Sequence, residues 1–542
     1  MVRRIGTALG RYFSQCGVVR LLTDHGADVF VGVEFLLLIV LYAIFMVSDK
    51  VPLAGFAALG LLWMVRWWAT ARLIVTTPMD VPILGILALL PVSLYASTDW
   101  SLSLPKVYGI ILGIAIFYAV VNAVDTIRRI GIAVVGLVLL SAIVSLLGLV
   151  GADWLSAKLF SMSQIYELLP RLIRDVPRSI AGGIHPNIVG GALTFFIPLL
   201  ASLFLDRLEF KTLQFVTNAR LAGMLRAAFN PILILSVVLT SSTLLLTQSR
   251  GSIAGVAVGL FALALWHNRR FLWAIPLAAL GIFVMVQVWG VGNLAEFLSR
   301  IDTPGGVTLA GRMEAWQRAI YMIQDFPFTG VGIGTFDPVA HILYPFFLVG
   351  PDIQIPHAHN MLLEVAVDFG IPGLVLYAAL LSGFAFSAWR AYQVVSRPLR
   401  ALIVGLACGM LAHQIFGIMD AFMLGTKLGA VMWLFFGLVS ALFIRRDKLA
   451  QQFIDGLAVE QNGKLSAPEP AHEHKSGTRY GLSRLGRFFL PFAYWVLFSM
   501  LAIAFVGDQP YLSLTIALIG GGILGFICTN SLESKSSYAQ AQ

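Results

Sequence analysis

Long, unbroken apolar runs separated by short polar stretches dominate the chain. Apolar residues are continuous within each run, and about 20 of them in a helix cross the hydrocarbon core of a bilayer. Only helices and closed barrels satisfy their backbone groups in lipid. Continuous runs fit helices, whereas barrel strands alternate. The pattern therefore predicts about fourteen spans, at roughly 29–47, 51–65, 80–96, 104–121, 130–150, 187–205, 232–247, 252–266, 271–289, 360–388, 401–418, 425–444, 488–506 and 511–528. A different period occurs in "GRMEAWQRAIYMI", where Met313, Trp316, Ile320 and Ile323 share one helical face. That spacing predicts an amphipathic helix on or near the membrane. The expected fold class is an all-α polytopic membrane protein with a large outer loop carrying short amphipathic helices.

Composition agrees with this reading. The 542 residues are 58% hydrophobic and only 12% charged, with mean hydropathy +0.85, which excludes an ordinary soluble domain. The net charge of +9 is read as orientation signals and lipid-headgroup contacts, not as a nucleic-acid surface. With the N-terminus inside, Arg66, Arg72, Arg128, Arg129, Arg269, Arg270, Arg390, Arg397, Arg400, Arg445 and Arg446 all fall on the inner side. The resulting division is a cytoplasmic tail at 1–28, a core at 29–446 with outer loops at about 151–186 and 290–359, and a polar linker at 447–487. An extra pair of spans at 488–528 and a tail at 529–542 follow. Cys16, Cys408 and Cys528 share no loop and lack metal-ligand spacing, so no disulfide is expected. The N-terminus is polar and basic without a small-residue cleavage site, and reads as a tail rather than a signal peptide.

The informative charges lie on the other side. Arg171, Arg174, Arg178, Arg250, Arg300, Arg312 and Arg318 fall outside in this topology. Arg250, in "TQSRG" between two spans with almost no loop, sits at or just inside the outer boundary. An arginine there is costly unless it finds a partner, and its planar fork suits phosphate. Arg312 opens the amphipathic helix, where free N–H groups also favour an anion. The glycines of "PFTGVGIGTF" have no preceding strand and no following Lys-Ser/Thr, so they read as a tight turn rather than a phosphate loop. His357 and His359 precede the span at 360. His359 can act as a general base there, although a His-x-His pair could also bind metal. No two acidic residues lie two apart, so no metal site of the Asp-x-Asp type exists.

Four elements together resemble the O-antigen ligase and polymerase superfamily of bacterial polysaccharide enzymes. They are "HPN" at His185–Asn187, "TQSRG" at Thr247–Gly251, "GRMEAW" followed by "PFTGVGIGTF", and His359-Asn360, nine residues, then Gly370-Ile-Pro-Gly373. The last is similar to the ligase signature His-Asn/Ser/Gln, nine residues, Gly-x-x-Gly. The resemblance covers roughly 29–446; the linker and the pair of spans after Phe488 depart from it. It implies a GT-C-like fold in the bacterial inner membrane, with the active site facing the periplasm or outside. It also implies an undecaprenyl-diphosphate-linked glycan donor, and as acceptor the lipid A core or a growing polysaccharide. Transfer would be metal-independent, with no cofactor and no nucleic-acid partner. By position, Arg250 and Arg312 would hold the diphosphate and His359 would be the catalytic base. Supporting roles would fall to His357, Asn360, Glu364, His185, Asn187 and Arg178. Glu364 and Asp368, five and nine residues past His359, either orient His357 or Arg250 or serve helix packing. The last two spans, which hold no family motif, are expected to be peripheral to the chemistry.

Two readings compete with ligation. A polymerase would handle the same donor but pass the glycan to the next lipid-linked repeat. A transporter of lipid-linked sugars needs no ordered outer His and Arg set and should show broken spans near mid-membrane.

Overall fold

The computed structural model describes residues 26–70, 75–152, 184–206, 219–290, 309–348, 353–421, 424–453 and 481–540. The regular structure among these residues is helical, with no strand; one isolated bridge joins Ala152 to Ile184. The tail before Gly26, most of the 447–487 linker, and Arg171, Arg174, Arg178 and Arg300 lie outside the described residues.

Helices occupy each predicted span. In order they are α1 (Gly26–Ser48), α2 (Leu53–Thr70), α3 (Asp80–Ala96), α4 (Trp100–Ala123), α5 (Ile127–Gly151), α6 (Pro186–Leu205), α7 (Ala219–Thr247), α8 (Arg250–His267) and α9 (Ala274–Trp289). Two short helices follow, α10 (Leu309–Asp325) and α11 (Phe336–Leu343). The bundle resumes with α12 (Met361–Val394), α13 (Arg397–Phe416), α14 (Ala430–Ile444), α15 (Gly481–Ala504) and α16 (Pro510–Gln540). Among the described residues nine helices are long and apolar enough to cross a membrane, and four shorter apolar ones, in α2, α3, α14 and α15, stand beside them. α16 runs on to Gln540, past the expected end near 528, because "SLESKSSYAQ" holds no glycine or proline to stop it. The start of the linker is helical at residues 446–453, where Leu449 is buried and Gln452 accepts the Ile127 N–H (3.4 Å).

The ends of the bundle differ in chemistry. At one end Trp266 donates to Tyr392 (3.0 Å), Arg129 pairs with Asp125 (2.7 Å), and Arg400 donates to the Val395 carbonyl (3.0 Å). This is the arginine-rich end that the charge pattern assigns to the inside. At the other end α10 packs on α12 and reaches, through Gln324, the turn before α16.

α12 is the central helix, packed against α3, α10, α13, α14, α15 and α16. It is broken at Gly370 (φ 69°), a conformation that only glycine adopts freely. The broken turn receives "PFTGVGIGTF": Ile371 N–H donates to the Pro327 carbonyl and Val331 N–H to the Val367 carbonyl, both at 2.8 Å. A Cβ on Gly370 would lie 2.6 Å from the Pro327 and Phe328 carbonyl oxygens, and one on Gly330 would collide with the Val367 oxygen. The glycine-rich stretch is thus a turn seated in a helix break. Asp368 completes the joint by accepting the Gly334 N–H (2.8 Å).

The C-terminal hairpin lies directly along α12. Gly521 and Gly525, one helical turn apart, face it so closely that a Cβ on either would collide with its backbone. This is the small-residue packing by which membrane helices approach one another. Ser382 donates to the Gly521 carbonyl (3.1 Å) and Trp495 to that of Pro372 (3.1 Å).

Candidate active site

The site is built from four chain segments at the end of the bundle opposite the arginine-rich one. The first is the stretch before α12. Asn360 caps that helix, its Oδ1 accepting the N–H groups of Leu362 (3.0 Å) and Leu363 (3.2 Å). Its Nδ2 donates to the Ile418 carbonyl (3.1 Å), and Met361 N–H donates to that of Gly417 (2.7 Å). These bonds clamp the His359 segment onto the turn after α13. Two further fasteners hold it: Glu364 accepts the Ala358 N–H (2.7 Å), and Trp316 of α10 donates to the His359 carbonyl (3.3 Å). His359 itself adopts φ 50°, uncommon for a residue with a side chain and a form of strain that clusters at functional sites.

The turn after α13 supplies Asp420, around which the other groups gather. Its Oδ1 lies 3.4 Å from His359 Nδ1 and 3.5 Å from His357 Nε2, and its Oδ2 accepts from Asn187 Nδ2 (2.9 Å). Asn187 comes from the first turn of α6, where His185 is the N-cap and its Nδ1 accepts the Asn187 N–H (3.2 Å). Burial would raise the Asp420 pKa, but His359, His357 and the field of Arg312 outweigh it and hold the carboxyl well below the usual carboxylate range. Asp420 is therefore a buried anion. His357 goes the other way: burial first, then His359, push its pKa down to about 3 against the pull of Asp420, with Lys106 and His185 adding to the depression. It is a neutral imidazole at neutral pH. Its Nδ1 accepts the His359 N–H (3.2 Å), which places its proton on Nε2, facing Asp420.

Arg312 is half-buried in the first turn of α10, and its buried Nε has no hydrogen-bond partner among the described residues. Arg250 is exposed at the start of α8. Its neighbour Gly251 lies against Phe416 and Met419, which brings the arginine beside the Asp420 turn. The Gln248 backbone just before it also has positive φ (48°). Among the described residues, Nε2 of the buried His359 has no hydrogen-bond partner, and Nδ1 has Asp420 Oδ1 beside it at 3.4 Å.

The structure thus gathers His357, His359, Asn360, Asn187, His185 and Arg312, with Arg250 at the rim. Of the two roles the sequence left open for Glu364 and Asp368, their contacts fit the packing one. Glu364 fastens the backbone at Ala358, and Asp368 holds the glycine-rich turn. Asp420 is the carboxylate that lies against both histidines, and sequence reasoning missed it. The signal available was its position: it is the one acidic residue in "GIMDAFMLG", the short outer connection between two spans. On α10, Met313 is exposed, whereas Ala315, Ala319 and Met322 are buried with Ile323. The packed face is rotated from the one expected, towards Ala315, Ala319 and Met322.

His357, His359 and Asp420 are also the residues that could hold a metal, with one ligand atom from each inside 4.8 Å. The His357 tautomer directs an N–H, rather than a lone pair, at Asp420.

Acid should expose the buried His357. Below pH about 6.5 an unfolded His357 takes up a proton that the folded site refuses until about pH 3. Stability should therefore fall as pH drops through that window, by up to about 1.4 kcal/mol per unit from this residue. Melting curves in detergent with chelator, between pH 7 and 5, should show a shallower loss for His357→Gln than for the unmodified chain. Parallel losses would remove His357 as the source.

All-helical and rich in apolar spans, with a polar His–Asp–Arg site at one end, the chain is a multi-pass membrane protein. Residues 235–378 match the family model described as O-antigen ligase, and over that segment the chain is similar to the O-antigen ligase family. The match runs from within α7 into α12, taking in Arg250, Arg312, His357 and His359 but ending before Asp420. No curated protein matches the chain.

Proposed function

We propose that the protein transfers a glycan from an undecaprenyl-diphosphate-linked donor to an acceptor hydroxyl on the outer face of the bacterial inner membrane, as in O-antigen ligation to lipid A core. The observation that carries this reading is the buried Asp420 anion shared by His357, His359 and Asn187 beside Arg312, with both histidines and the arginine inside the segment similar to the O-antigen ligase family. Facing Asp420, His359 Nδ1 carries the proton, which leaves the Nε2 lone pair for an acceptor hydroxyl. As the hydroxyl oxygen attacks the anomeric carbon, its proton passes to Nε2 and the bond from that carbon to the diphosphate breaks. Undecaprenyl diphosphate departs. Arg250 and Arg312 offset the growing charge on its oxygens in a partly desolvated setting, where such interactions are strong. Asp420 stabilises the imidazolium until solvent takes the proton. A diphosphate is already a good leaving group, so the step proceeds without a metal, and transfer should persist in chelator.

The test is purified protein in nanodiscs with lipid-diphosphate glycan and either lipid A core or a second lipid-linked repeat. Transfer to the core is expected. A ladder of lipid-linked products would instead make the protein a polymerase, and vesicle translocation without a new glycosidic bond would make it a transporter. Arg250→Ala and Arg312→Ala should each weaken donor binding as well as turnover, with lysine restoring only part because the bidentate fork is lost. Unchanged binding and turnover in both would remove the diphosphate clamp.

A further inference from the structure

A cavity of about 830 Å³ opens beside the site, walled by α10, α12 and α16. Its polar residues belong to the site end: Glu314 and Gln317 on α10, and Asn360, which directly follows His359. Away from that end the walls are apolar. On α16 the lining residues Tyr511, Leu514 and Leu518 fall on one face, descending about 10 Å at 1.5 Å per residue. Leu374, beyond the Gly370 break, faces them from α12.

The depth of α16 is fixed by a contact at its start. Gln324, at the end of α10, donates to the carbonyls of Val506 (3.3 Å) and Gly507 (2.9 Å) in the turn between α15 and α16. The hairpin turn therefore lies level with α10 and the site, and α16 runs from there along α12 towards the bundle interior. The cavity is polar where it meets the catalytic groups and apolar as it descends between membrane helices.

We propose that this cavity holds the isoprenoid chain of the lipid-linked donor, with α16 as one wall. The inference rests on the reading of the site as a lipid-diphosphate glycosyltransferase and names the part of the protein that grips the lipid. The donor chain fits better than a chain on the acceptor because Arg312 and the cavity share a helix. A chain lying against Met313, Trp316 and Gln317 brings its first polar group to the level of Arg312, and in a polyprenyl diphosphate that group is the diphosphate. The C-terminal hairpin, which lies beyond the ligase-domain match, thereby becomes part of the donor site. α16 is held against α12 through Gly521 and Gly525, rigidly enough to act as a wall.

The experiment uses the full chain in nanodiscs of neutral lipid, with undecaprenyl phosphate as the long-chain probe and dimethylallyl diphosphate as the short one. Leu514→Trp and Leu518→Trp fill the cavity from half-buried positions. Each should lower affinity for undecaprenyl phosphate tenfold or more, leave the short probe unaffected, and raise the donor KM more than it lowers kcat. Leu512→Trp, exposed and outside the cavity lining, should change neither. As a second readout that tolerates poor folding of the tryptophan variants, a photoreactive group on Leu518→Cys should cross-link undecaprenyl phosphate, and one on Leu512→Cys should not. Unchanged long-chain affinity in both tryptophan variants would overturn the proposal. So would phosphatidylglycerol or lipid A displacing undecaprenyl phosphate at equal concentration. If wild-type protein transfers glycan while the tryptophan variants keep its donor KM, the cavity assignment fails and the transferase reading stands. If long-chain binding is lost in the variants but wild type makes no glycosidic bond, the reverse holds.

Discussion

His359→Ala is expected to lower single-turnover transfer by about 10²–10⁴-fold, the usual contribution of a general base, while donor affinity stays within a few-fold of wild type. The separation follows from how the residue is held. Its backbone is fixed by groups that do not involve the imidazole: Glu364 on the Ala358 N–H, Trp316 on the His359 carbonyl, and Met361 N–H on the Gly417 carbonyl. Removing the ring leaves these fasteners, the Asn360 cap and both proposed diphosphate arginines in place. The variant loses the lone pair that would accept the hydroxyl proton, and little else. His359→Gln is the companion, since an amide can fill the space and hydrogen-bond but cannot take the proton. Donor affinity and single-turnover rate should be measured on both, after melting curves confirm that they fold. Normal turnover in folded His359→Ala would end the general-base assignment.

Much of the fold was legible because the bilayer constrains it so strongly. Continuous apolar runs must be helices, and a helix lies at every stretch where one was expected. What sequence periodicity could not show was how those helices meet. Gly370 is one glycine among 51, and its role emerges only where the 327–331 turn enters the broken helix. Gly521 and Gly525 are similarly silent until α16 is seen against α12. The C-terminal hairpin holds no family motif and was expected to be peripheral to the chemistry; the first turns of α16 line the cavity next to Asn360.

Within the site, residues carrying unusual cost were the easiest to find. Arg250 and Arg312 break the charge rule, and His359 heads a span, so each stands out in a linear reading. Asp420 does not, because an acidic residue in an outer connection is unremarkable until three segments distant in sequence converge on it. Glu364 and Asp368 were nearer candidates by spacing, since both follow His359 on the same helix. But α12 directs them at the Ala358 and Gly334 N–H groups instead. Helical spacing places residues on a face without saying which loop crosses that face.

Asp420→Asn should be nearly as damaging to turnover as loss of His359, by about 10²–10⁴-fold, following the behaviour of an orienting carboxylate in a catalytic triad. Asp420 accepts on both sides: from Asn187 on one oxygen, with His357 and His359 on the other. An amide must turn an N–H₂ towards one of them. If it faces Asn187, two N–H groups collide there; if it faces the histidines, it donates to His359 Nδ1, puts the ring proton on Nε2 and removes the base. Either way the buried negative charge that offsets the imidazolium and Arg312 is gone. Asp420→Glu keeps the charge and should recover part of the rate. The effect should fall on kcat more than on donor KM, because Asp420 acts through His359. The double variant Asp420→Asn/His359→Ala gives the decisive comparison, since residues that act as one unit are strongly non-additive. It should be no slower than His359→Ala alone. If the two losses instead multiply, Asp420 serves the fold or the donor independently of His359, and the dyad assignment falls.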